Sequence, residues 1–79
     1  MKEFLEYIEL NPKIMRGKPV IKGTRLTVQY ILNLLANGET IDEITKEYEG
    51  ITREDILACL LYASEAIDNT TFIPLEEAI

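Results

Sequence analysis

Lys13, Arg16, Lys18, Lys22 and Arg25 fall within thirteen consecutive positions that contain no acidic residue. The chemistry available to such a group is anion binding, because ammonium and guanidinium groups donate charge-assisted hydrogen bonds to phosphates and carboxylates. The remaining 66 residues carry three basic and fourteen acidic groups, so a neck of charge +5 sits on a body of charge −11. Charge asymmetry bears on what a surface attracts rather than on how the chain folds. It predicts a small adaptor that meets an anionic partner through the neck and something different through an acidic, apolar-faced body.

Other chemistries find less support. Arg16-Gly17-Lys18-Pro19 holds the glycine and lysine of a phosphate loop. The full motif needs Gly-x-x-x-x-Gly-Lys-Ser/Thr running into a helix, whereas Pro19 removes an amide and opens a strand-like segment. What remains is a basic turn suited to nucleic-acid phosphates or to the acidic groups of a protein. The alternative is that Lys13, Lys18 and Lys22 solubilise a β-rich edge. No catalytic residue is expected: the chain has no histidine, and its one cysteine, Cys59, lies inside the apolar run 56–63. A thiol there is normally inert packing. No Cys/His cluster or EF-hand spacing points to a metal, and no cofactor is expected.

The elements that must position these residues are mostly helical. Thr27 is a candidate N-cap, followed by Val28, Ile31, Leu32 and Leu35 at i, i+3, i+4 and i+7. Asn37-Gly38 supplies the stop. Thr40-Ile41-Asp42-Glu43 matches a capping box, Ile41, Ile44 and Tyr48 form a narrow stripe, and Gly50 closes the second helix. Thr52 opens a third, with Glu54 and Asp55 suiting the helix dipole in its first turn. Helix, turn, short helix, four-residue turn and long helix make a helix-turn-helix order, with Thr52 to about Tyr62 in the recognition position. A purely structural three-helix bundle has the same order. Before Thr27, Asn11-Pro12, Gly17-Lys18-Pro19 and Lys22-Gly23 punctuate the chain, with short strands expected at 7–10 and 19–21. Phe4, Leu5 and Ile8 also fit one turn of helix.

The third helix favours protein contact over groove reading. Thr52 and Arg53 could meet bases and backbone, but Glu54 and Asp55 stand beside them, and Ala58, Tyr62 and Glu65 follow without a phosphate ligand among them. Ile56, Leu60, Ala63 and Ile67 define one face, and Leu57 and Leu61 a second, rotated by about 100°. In the first helix, Tyr30 and Leu34 likewise lie off the main stripe. Hiding a leucine-sized side chain stabilises by about 1.5 to 3 kcal/mol. A 79-residue domain has a thin core, so Tyr30, Leu34, Leu57 and Leu61 are expected to face a second copy or another protein. The alternative is that the N-terminal strands cover this face within one chain.

One domain over residues 1–68, with its β segment at about 7–25, and a short tail over 69–79 are expected. No disulfide can form within the chain, and its longest apolar run has eight residues. That is too short to span a bilayer, and no cleavable leader is visible, so a cytoplasmic protein is expected.

The segment Gly17-Lys18-Pro19-Val20-Ile21-Lys22-Gly23-Thr24-Arg25-Leu26, followed by Thr27-Val28, Ile31-Leu32, Leu35-Ala36-Asn37-Gly38, Ile41-Asp42-Glu43-Ile44, Tyr48, Ile51 to Ile56 and Ala63, resembles the domain-of-unknown-function 433 family over roughly residues 7–66. The resemblance implies a mainly α, homeodomain-like or winged-helix-type helix-turn-helix fold with short N-terminal strands. It also implies the antitoxin-like half of a prokaryotic toxin–antitoxin pair, beside a PIN-like nuclease. Gly17, Pro19, Gly23, Thr24 and Arg25 carry over as family hallmarks, with structural roles as open to them as binding roles. Three readings follow. They are a non-enzymatic, dimeric antitoxin-like protein that binds a toxin nuclease with or without operator DNA, an autonomous DNA-binding regulator, and a dimeric interaction module with no nucleic-acid role.

Overall fold

The computed structural model describes residues 6–68. The tail expected over 69–79, and the helical alternative resting on Phe4 and Leu5, lie outside the described residues. The fold is mainly helical, with three helices preceded by a two-stranded antiparallel sheet: β1 (Ile8–Glu9), β2 (Val20–Ile21), α1 (Val28–Ala36), α2 (Ile41–Glu47) and α3 (Arg53–Asp68). Ile8 pairs with Ile21 and Glu9 with Val20.

Residues 20–27 build a hairpin that feeds directly into α1. The Thr24 amide and hydroxyl both donate to the Ile21 carbonyl, at 3.0 and 2.8 Å, while the hydroxyl accepts the Leu26 amide at 3.0 Å. Gly23, third in that turn, has φ +81°, a region that costs an L side chain strain but costs glycine nothing. The chain then runs back beside β2: the Ile21 amide donates to the Leu26 carbonyl, Val20 bridges Thr27, and the Val28 amide donates to the Pro19 carbonyl. Thr27 therefore ends the hairpin and begins the helix, its hydroxyl accepting the Tyr30 amide at 3.0 Å. A Thr-to-Ala change at such a cap typically costs about 1 kcal/mol.

The other helix starts are local as well. Thr40 and Glu43 form the expected capping box, with bonds of 2.8 and 3.1 Å. Thr52 and Asp55 form a second reciprocal cap: the Asp55 carboxylate accepts the Thr52 amide at 2.9 Å, and the Thr52 hydroxyl accepts the Asp55 amide at 3.2 Å. Asp55 is thus tied back into its own helix end.

The core is apolar. Ile8, Val20, Ile21, Val28, Ile31, Ile44, Ile51, Ile56, Ala58 and Cys59 are buried, and no polar or charged residue is buried among those described. Leu32, Leu35, Ile41 and Tyr48 pack against this core, as the helical stripes predict. The face of α3 differs from expectation. Ile56, Ala58 and Cys59 point inward with Tyr62 beside them, whereas Leu60 is 43% and Ile67 59% exposed. Helix α3 packs on α1, α2 and β1 together, and small side chains at 58 and 59 allow that close approach where leucine would overfill it. Ala58 is consequently unavailable to any groove.

Candidate functional site

Two loops carry most of the basic neck. In the first, the Asn11 carboxamide oxygen accepts the Lys13 amide at 2.9 Å, and the Asn11 carbonyl accepts the Ile14 amide at 2.9 Å. Met15, Arg16 and Gly17 then follow with φ of 48°, 59° and 82°, a tight left-handed turn closed by the Gly17 and Lys18 amides. Left-handed backbone costs roughly 1–2 kcal/mol for each non-glycine residue, so Met15 and Arg16 are held out at an energetic cost. The second loop is the Lys22–Arg25 turn described above.

These loops adjoin. One surface hollow is lined by Ile14 with Gly23, Thr24 and Arg25, and another by Met15 with Arg25, Leu26, Thr27 and Tyr30. Lys13, Arg16, Lys22 and Arg25 are all exposed and stand on these two neighbouring loops. Of these basic residues Arg25 lines both hollows and the others line neither; Lys18 and Arg53 are exposed as well. Lys18 instead stands at the edge of an apolar groove of about 400 Å³ between the start of α1 and the end of α3, where Val28, Leu32, Tyr62, Ala63 and Ile67 line the walls. Arg53 opens α3, beside exposed Glu54. Gly17 and Pro19, the remaining motif positions, are half-buried; Gly17 has φ 82° and Pro19 lines the apolar groove beside Lys18.

The four side chains expected at a partner interface separate. Leu34 packs against the core of its own chain. Tyr30 is 40% exposed, but its hydroxyl is hydrogen-bonded to that of Tyr48 and the two rings meet edge to face, centroids 6.0 Å apart. That bond is the main reason the Tyr48 phenol is pushed up to about 12, with desolvation and nearby carboxylates adding. Leu57 and Leu61 are half-buried and lie on one outward stripe of α3 with exposed Leu60. Spacings of i, i+3 and i+4 place these three leucines on a single face. Leu60 is the residue missed by reading large aliphatic side chains as inward.

Cys59 sits fully buried under this stripe. Burial pushes its thiol up to about 12, with the Asp55 charge adding, so it carries no thiolate near neutral pH. Among the described residues no group of three or more His, Cys, Asp or Glu side chains could hold a metal, and no helix is long and apolar enough to cross a membrane.

A β-hairpin leads into three helices, with basic residues on two adjoining loops and an outward leucine stripe on the last helix. The sequence profile of the DUF433 proteins, a family of unknown function, matches residues 8–63, and the chain belongs to that family. A crystal structure of a DUF433 member protein from Anabaena variabilis superposes with a TM-score of 0.74 at 26% identity, over 78% of this chain. The superposition spans 61% of that protein's length. No functionally curated protein matches the chain.

Proposed function

We propose that this chain is a non-enzymatic, antitoxin-like protein of a prokaryotic toxin–antitoxin pair, acting in the cytoplasm by binding a PIN-like nuclease. The observation that carries the reading is the outward stripe of α3, on which Leu60 is exposed and Leu57 and Leu61 are half-buried. Three leucines grouped on one helix face suit helix-in-groove docking or pairing with a second copy. Glu54, at the start of the same helix, gives the face an acidic edge suited to a basic nuclease surface. The test is co-expression with the product of the neighbouring open reading frame, which this reading requires to be a PIN-like nuclease. The wild type should co-purify with the nuclease and relieve its growth arrest, whereas Leu57→Ser/Leu60→Ser should do neither while keeping its helical circular dichroism. Absence of any complex with the wild type sinks the reading.

A second reading, an autonomous helix-turn-helix regulator, is favoured by the exposed Lys13, Arg16, Lys22 and Arg25 on adjoining loops. It requires duplex binding by the isolated protein with steep salt dependence, weakened uniformly by Lys22→Ala and altered in sequence preference by Arg53→Ala. Flat titrations at low salt eliminate it. Should reversal of Lys13, Arg16 and Lys22 to glutamate leave every partner bound, the protein is an interaction module without a nucleic-acid role.

A further inference from the structure

One of the two hollows beside the basic loops differs in kind from the cations around it. Met15, Arg25, Leu26, Thr27 and Tyr30 line about 300 Å³, and Arg25 also lines the neighbouring hollow with Ile14, Gly23 and Thr24. An aromatic ring, a thioether and a guanidinium next to a group of exposed cations are the two halves of a site for a base and its phosphates. We infer that this end of the molecule binds single-stranded nucleic acid, with one unstacked base in the hollow of Met15, Arg25 and Tyr30 and the flanking phosphates on Lys13, Arg16, Lys22 and Arg25.

The side chains for the base are both exposed and held in place. Tyr30 is 40% and Met15 41% exposed. The hydroxyl bond to Tyr48 fixes the Tyr30 ring, and φ of 48° at Met15 and 59° at Arg16 sets the direction in which those side chains leave the backbone. Neither residue type favours that conformation, and strain of this sort clusters where ligands are clamped. Among the described residues none of the four cations is tied to a carboxylate, so all four are open to phosphate.

The base half selects the ligand. In a duplex the base faces are stacked on one another and only edges are offered in the grooves, whereas a single strand can turn a base face toward a side chain. Charge selects in the same direction: a neck of +5 on a body of −11 attracts a flexible strand at the neck and repels a rigid polyanion laid across the body. The site shares its cations with the second reading above and differs from it in ligand. It shares no residue with the leucine stripe of α3.

The test is fluorescence anisotropy with a labelled oligothymidylate of about twelve nucleotides, a length within the span of small single-strand sites. It should bind the full chain at low salt, with log K falling against log salt at a slope of about −3 for four phosphates. Tyr30→Leu should weaken it by about five- to 150-fold, the range for loss of one stacked base, whereas Tyr30→Phe, which keeps the ring, should bind as the wild type does. Should Tyr30→Leu fail to fold, an abasic strand of the same length makes the comparison on the unaltered protein and should bind more weakly by the same factor. Tyr30→Trp supplies the chain's only indole, and its emission should be quenched as the strand saturates the site. Equal affinity for the abasic strand and oligothymidylate overturns the inference, leaving a patch for phosphates alone. Tighter binding of a duplex of the same length overturns it in favour of the second reading, and equally tight binding of polyglutamate overturns it in favour of an acidic protein segment. Flat titrations with every probe remove both nucleic-acid readings and leave the nuclease reading standing.

Discussion

Tyr30 of α1 and Tyr48 at the end of α2 are joined hydroxyl to hydroxyl, their rings crossed at 89°. The pair links two helices at their solvent edge, where neither ring is part of the buried core. Because the bond favours the protonated Tyr48 phenol, its titration moves upward from 10.0 to about 12. The stabilisation it brings is complete below the ordinary tyrosine range and is lost as pH rises through about 12. Absorbance at 295 nm should show a phenol titrating at about 12, and Tyr30→Phe should lower it. A single unshifted transition in the wild type contradicts the pair.

Cys59 predicts a second, separable alkaline effect. Its folded thiol titrates near 12 against 9.0 for a free thiol. Between those values the unfolded chain has lost a proton that the folded chain keeps, so stability falls with rising pH, by at most about 1.4 kcal/mol per unit. Urea unfolding at pH 9, 10 and 11 should show this slope in the wild type and a shallower one in Cys59→Ala. At pH 8 the native protein should react with a thiol reagent only as fast as it opens, and reaction at the rate of a free thiol would disprove the burial.

The Ile21–Thr24 turn predicts a pair of mutations with different causes. Thr24→Val keeps the shape but removes the bond to the Ile21 carbonyl and the acceptor for the Leu26 amide, at a cost of about 1–3 kcal/mol. At Gly23 an added Cβ would meet nothing within 4 Å, yet the φ of +81° makes Ala unfavourable, at about 1 kcal/mol. Denaturant midpoints should fall in both variants with unchanged m-values.

Arg16 offers a way to separate charge from fold. With φ 59° it occupies a position that suits glycine. Arg16→Gly relieves roughly 1–2 kcal/mol of strain and gives back about 0.4–1 kcal/mol in unfolded-chain entropy, so stability should hold or rise slightly. Affinity for a polyanion should nonetheless drop, and if Arg16 meets one phosphate, the slope of log K against log salt should shrink by about one. A variant that binds as before removes Arg16 from the anion surface.

Much of this fold was legible because helix caps are local. Thr27, Thr40 with Glu43, and Gly50 act within one turn of their own sequence positions, so residue type and spacing suffice to read them. The Thr52–Asp55 cap was readable in principle from the Thr-x-x-Asp spacing. By residue type alone its acid reads as a dipole partner, because the usual third-position residue of a capping box is Glu or Gln. The left-handed run at Met15 and Arg16 carried no such signal, since neither residue type favours that conformation and the turn is held by its surroundings.

Periodicity also located the stripes of α1 and α2 but misjudged α3, and the difference is physical. A short helix packed on one neighbour shows its buried side as its most apolar side. Helix α3 meets α1, α2 and β1 at once, and close approach there favours Ala58 and Cys59 while leaving Leu60 outside. Composition and order alone settled the charge division, the element sequence and family membership. Which leucines face water, and which cations stand together, depended on distances between residues far apart in the chain, and those arise only when the hairpin and helices close on one another.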